Sequence, residues 1–104
     1  LYHYVVLRGD LSLGAALAQC THAAGESSRL APELPDNTHA VVLRAEDEQA
    51  LLRLDAELTA RGIVHVCVRE PDEPYCGQMT AIGVKPCLRE STLKRIMRGF
   101  PLFK

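Results

Sequence analysis

Residues 5–24, VVLRGDLSLGAALAQCTHAA, run from an apolar β-branched segment through a short polar turn into an alanine-rich segment carrying Gln19 and His22. The first part reads as a buried strand and the last as a helix leaving its carboxyl end. Open α/β sheets gather their ligand-binding groups at that edge. This stretch therefore sets both the expected fold class and the first place to look for a site.

Working outward, Tyr2–Arg8 (YHYVVLR) is aromatic and β-branched and reads as a strand. Gly9-Asp10 breaks it, and Ser12 is a natural N-cap for a helix from Leu13 to about Ser28. Leu13, Ala16, Leu17, Cys20, Ala23 and Ala24 recur at helical spacing as the expected apolar stripe, which puts Gln19, His22 and Glu26 together on another side. Leu30–Asn37, with two prolines, reads as a loop, and Thr38–Ala45 (THAVVLRA) as a second strand. Glu46–Ala60 reads as an amphipathic helix with Leu51, Leu54 and Leu58 inward, closed by a left-handed cap at Gly62. Ile63–Arg69 (IVHVCVR) and Gly77–Val84 (GQMTAIGV) read as strands around the loop Glu70–Cys76, and Leu88–Arg98 as a final helix. Helical connections imply parallel strands, while the short link before the last strand permits an antiparallel hairpin. The expected fold is α/β: one compact domain over residues 1–104, a four-stranded mixed sheet with helices on both faces, in the order β-α-β-α-β-β-α.

The chain has 104 residues, 47% of them hydrophobic, and a net charge of −1, which fits a single globular domain and excludes a disordered or strongly polybasic chain. No apolar run approaches the length of a bilayer span, so no membrane partner is expected. The charge is unevenly spread. Five acidic residues against Arg53 fill Glu46–Glu57, and six basic residues (Lys85, Arg89, Lys94, Arg95, Arg98, Lys104) against Glu90 fill the last twenty positions. Such a basic end suits a polyanion such as RNA, or simply a solvated helix surface. Cys20, Cys67, Cys76 and Cys87 form no CxxC pair, so reduced cysteines in a reducing compartment are expected, cytoplasmic or mitochondrial. The chain begins at Leu1 rather than Met, so native sequence is expected upstream. The apolar tail Gly99–Lys104 (GFPLFK) has two outlets, its own domain or a partner subunit in a homodimer.

Three constellations carry chemistry. His22 with Gln19 offers a general base and a carboxamide that orients a substrate group, against the plain reading of two surface side chains. Glu70 and Asp72, in the loop after the third strand, can activate water or orient His22, against the plain reading of a solvated turn. His65, Cys67, Cys76 and Cys87 are the metal-ligand candidates. His65 and Cys67 share one face of a strand, but the missing thiolate pair argues against a zinc-finger site, and no metal is expected. Cys20 lies on the expected apolar stripe, which does not suit a nucleophile, and no phosphate-binding glycine motif is present.

Taken in order, VVLRGDL (5–11), AxAQCTHAA (16–24), THAVVL (38–43), GIVHVCVRE (62–70) and TAIGV (80–84) resemble the type-two peptidyl-tRNA hydrolase family of archaea and eukaryotes. The segment Ala18–Ala23 is the most specific part. The ending Phe100–Lys104, with Leu13–Gln19, looks most like the divergent subgroup called peptidyl-tRNA hydrolase domain-containing proteins. Members of the family cleave the ester between a peptide and tRNA with no metal or organic cofactor, so the resemblance implies peptidyl-tRNA as substrate. It gives His22 the role of activating or positioning water, with Glu70 or Asp72 orienting it. Gln19 and backbone N–H groups near Gly14 then contact the ester, Asp10 belongs to the same motif, and Arg8, Arg95 and Arg98 are the candidate phosphate partners. The family's glycine–lysine pattern before the AAQ segment is replaced here by Gly14, Ala15 and Ala16, with no lysine before Lys85. Its Asp-Ala-Gly-Arg-Thr type loop is replaced by Arg69–Cys76. A second reading from another class is a non-catalytic module that binds RNA or protein on the same scaffold.

Overall fold

A computed structural model of the chain describes residues 1–31, 33, 37–88 and 91–104. The prolines of the Leu30–Asn37 loop, and Arg89 and Glu90 at the expected start of the last helix, lie outside the described residues. Seven elements follow in the expected order: β1 (Tyr2–Arg8), α1 (Leu13–Ser28), β2 (His39–Ala45), α2 (Glu48–Ala60), β3 (His65–Glu70), β4 (Gln78–Val84) and α3 (Ser91–Met97). The differences from the sequence reading are at the ends. Asp47, not Glu46, begins α2, because its carboxylate accepts the Ala50 N–H at 3.0 Å and caps the first turn. Gly62 closes α2 at φ 70°, with Gly62 N–H bonded to Thr59 O and Ile63 N–H to Leu58 O, so Ile63 completes the cap and β3 starts only at His65.

The four strands lie in the order β2-β1-β4-β3. β1 and β2 are parallel, while β4 runs antiparallel to both β1 and β3. The carboxyl ends of β1, β2 and β3 therefore share one edge with the amino ends of α1 and α2. Val5, Leu7, Val68 and Ala81 pack under α1 on one face, against Ala16 and Ala23. Val6, Leu43, Ile82 and Val84 pack on the other face against Leu51, Leu54 and Leu58 of α2 and Leu93 and Met97 of α3. The expected mixed sheet with helices on both faces is the observed architecture.

The buried face of α1 differs from expectation. Leu13 and Leu17 are 75% and 62% exposed, whereas Gln19 is only 4% exposed and shares the buried face with Ala16, Ala23 and Ser27. The cause is how close α1 lies to β4: a Cβ on Gly83 would collide with the Ala23 carbonyl oxygen and would lie 2.6 Å from Ser27 Oγ. Leucine does not fit a gap that narrow. Short or polar side chains do, provided their polar atoms are satisfied. Ser27 donates to Ala23 O and meets His3 Nε2 at 2.6 Å, and burial lowers the His3 imidazole below its ordinary value.

The tail docks on its own domain. Arg44 N–H donates to Pro101 O and Phe103 N–H to Val42 O, with Leu43 and Leu102 forming an antiparallel bridge on the outer side of β2. Among the described residues, no helix is long and apolar enough to cross a membrane.

Candidate active site

Gln19 is held at both ends. The Thr80 hydroxyl, fully buried, donates to Gln19 Oε1 at 2.9 Å, and Gln19 Nε2 donates to Glu70 Oε2 at 2.8 Å. Thr80 reaches this position because the β3–β4 register slips between Val68 and Arg69: Val68 pairs with Ala81 and Arg69 with Met79, so Thr80 has no partner across the ladder. The Met79 N–H beside the bulge is taken by Glu48 Oε2 at 2.8 Å. The second oxygen of Glu70 accepts the Asp72 N–H at 3.0 Å. That backbone bond, then the one from Gln19, then the charge of His22, hold the Glu70 carboxyl below its usual range. It is an ionised carboxylate with a fixed orientation.

The carboxylate opens on a groove of about 580 Å³ between α1 and the edge strand β3, lined by Gln19, His22, Glu26, Arg69, Glu70 and Asp72 among others. His22 and Glu70 thus face one cleft. Among the described residues they share no hydrogen bond, and both Glu70 oxygens are engaged elsewhere. His22 and Glu70 therefore share the groove without forming a bonded dyad. Asp72 lines the same groove and contributes its backbone N–H to Glu70. Gln19 lines the groove but is only 4% exposed, and both ends of its carboxamide are already bonded. It links the sheet to the groove carboxylate.

The remaining sequence candidates are dispersed. Gly14 lies in the first turn of α1 with open space about it. Eight residues at 1.5 Å each put it about 12 Å from His22 along the helix, too far for both to act on one ester carbon. Arg8 is 7% exposed and committed within the fold. Its Nε and Nη2 donate to the two Asp10 oxygens at 2.9 and 2.8 Å, and Nη1 donates to Gln78 Oε1 and Met79 O. Its guanidinium also lies 5.5 Å from the centre of the Tyr75 ring. Arg8 is thus a clamp between the turn after β1 and the start of β4, which leaves it poorly placed to take the phosphate expected of it. Asp10, its partner, is held below the usual carboxylate range first by that hydrogen bond. Arg95 on α3 and Arg98 in the turn after it are exposed, and α3 lies on the opposite side of the sheet from α1.

Two features escaped the sequence reading. Thr80, part of the TAIGV segment, was given no role, and only the bulge makes it a partner of Gln19. Arg44 and Arg53 line a second cavity of about 610 Å³ at the β2 end of the same edge, together with Asp10, Glu46 and Phe100. Burial beside the Ala16–Ala23 cluster raises the Cys20 thiol above its ordinary value. All four cysteines are free.

A search of curated proteins gives no match. The family profile described as "Peptidyl-tRNA hydrolase PTH2" matches residues 1–103, nearly the whole chain. With the fold and the Gln19–Glu70 groove in place, that match makes the chain a member of the peptidyl-tRNA hydrolase PTH2 family.

Proposed function

We propose that the α1–β3 groove hydrolyses the ester joining a peptide to tRNA, releasing the tRNA for reuse. The observation that supports this best is the Thr80–Gln19–Glu70 relay, which fixes an ionised carboxylate in an open groove opposite His22, in a chain of this family. In this reading a groove water gives its proton to the His22 ring as its oxygen attacks the ester carbonyl. The Glu70 charge stabilises the imidazolium that forms, and the proton then passes to the ribose oxygen that leaves. The first-turn N–H groups of α1 near Gly14 are orphan donors at a helix N-terminus. At about 12 Å from His22 they suit a tRNA phosphate better than the ester. Arg44 of β2 and Arg53 of α2, which line the second cavity, are further phosphate partners, with Arg95 on α3 and Arg98 just after it reaching only a more distant part of the tRNA.

The test is release of peptide from a model peptidyl-tRNA by the wild-type chain and by His22→Ala. Loss of an acid–base group predicts a drop of roughly 10²–10⁴-fold. Release equal in both proteins, or absent in both, overturns the role given to His22. A second reading, a non-catalytic RNA-binding module, is favoured by one feature: Gly14, Ala15 and Ala16 occupy the place of the family's glycine–lysine pattern. It predicts tRNA binding without turnover, weakening steeply with salt.

A further inference from the structure

Strand β3 carries a second cluster. His65 and Cys67, two residues apart on the strand, meet Asp55 from the middle of α2, and Cys67 is also among the residues lining the α1 groove. His65 Nε2 lies 2.6 Å from Asp55 Oδ1, and the Cys67 thiol donates to the same oxygen at 3.3 Å. One ligand-type atom from each of the three lies within 4.8 Å of the others. Cys76 and Cys87, weighed with His65 and Cys67 from sequence, stand apart from this group among the described residues.

His65 is held at both ring nitrogens. Nδ1 lies 2.8 Å from Ile63 O, and a carbonyl only accepts, so Nδ1 carries the ring proton. In the neutral ring Nε2 then presents a lone pair to a carboxylate oxygen that also only accepts. Either a proton on Nε2 or a metal ion bound by both atoms satisfies this 2.6 Å contact. A ring nitrogen tied to a backbone carbonyl, with the other nitrogen free to bind, is also the usual outer-shell arrangement of a metal-binding histidine.

We propose that Asp55, His65 and Cys67 form a binding site for a divalent transition ion of the zinc class, holding α2 to the edge strand β3. Imidazole, carboxylate and thiolate together suit such ions better than magnesium or calcium, which take all-oxygen shells. On binding, Nε2 and a carboxylate oxygen donate to the ion. Cys67 gives its proton to solvent and binds as thiolate. Asp55 and Cys67 are open enough to water that a solvent molecule takes the fourth position. The site borders the Gln19–Glu70 groove at Cys67, but it uses neither His22 nor Glu70 and needs no part of the hydrolytic reading.

The test is titration of the purified chain with Co²⁺, followed by Zn²⁺ competition. The expected result is one equivalent bound with a thiolate-to-cobalt charge-transfer band. The band should vanish in Cys67→Ser and persist in Cys76→Ser. His65→Gln should weaken Zn²⁺ binding by more than the roughly 10–100-fold typical of losing an outer-shell partner. Zn²⁺ should raise the melting temperature of the wild type and leave that of Cys67→Ser unchanged, with circular dichroism showing both folded. Absence of the band, or its survival in Cys67→Ser, overturns the site and leaves His65 and Asp55 as a proton-bridged pair.

Discussion

Replacing Gly83 with alanine tests whether the closeness of α1 to the sheet sets the site. The added Cβ would lie 2.6 Å from Ser27 Oγ and 2.8 Å from Ser27 Cβ, and closer still to the Ala23 carbonyl oxygen. Carbon atoms rest at about 3.5–4.0 Å, so α1 has to move off β4 by about 1 Å. The Ala23 oxygen is backbone, so no rotamer change relieves the clash. Overpacking of this kind costs about 1–3 kcal/mol. The same displacement acts on Gln19, whose bonds to Thr80 and Glu70 are 2.9 and 2.8 Å and weaken quickly when stretched. Urea unfolding should show a lower midpoint with an unchanged slope, and peptide release should fall although no groove residue has been altered. Gly25→Ala, in the same helix with open space around the position, should instead stabilise by about 0.5–1 kcal/mol. A Gly83→Ala protein as stable as the wild type, with unchanged turnover, would refute the reasoning.

Other outcomes follow from the same contacts. Thr80→Val keeps the shape but removes the donor to Gln19 Oε1, and leaving that buried oxygen unpaired should cost about 1–3 kcal/mol in urea unfolding and slow hydrolysis. Stability should fall on acidification in two separate steps. Burial lowers His3 below 6.5, so just under that pH the unfolded chain binds the extra proton and stability decreases as pH drops. Asp10, Asp55 and Glu70 are all held low by their partners, so their contribution is full above about pH 4 and is lost as pH falls through their folded values. His3→Gln should remove the first step in a series of urea midpoints and leave the second.

Periodicity and turn chemistry made the seven elements legible, because strands with β-branched runs and helices with leucine spacing announce themselves. The faces of α1 did not. An alanine-rich helix has little contrast between its sides, and the decisive constraint, the missing Cβ of Gly83, lies about sixty residues away in sequence. Gln19 and Glu70 were legible as candidates from their place at the carboxyl edge, but their bond, and the Thr80 hydroxyl behind it, depend on a register slip that no local pattern encodes. Arg8 looked like a free cation at a strand end. Asp10, two residues on across a tight turn, is its bidentate partner, a pairing that the spacing already allowed. His65 and Cys67 were legible as a pair on one strand face, whereas Asp55 looked like one acid among several on a solvated helix until the fold brought it to them.

The most direct measurement is the turnover of a model peptidyl-tRNA by the wild type and by Glu70→Gln, alongside tRNA binding by both. A carboxamide keeps the size of Glu70 and removes its charge. Turnover by the wild type, reduced at least about tenfold in Glu70→Gln with tRNA affinity unchanged, is the predicted result. Equal turnover by the two proteins, or none by the wild type, would contradict it.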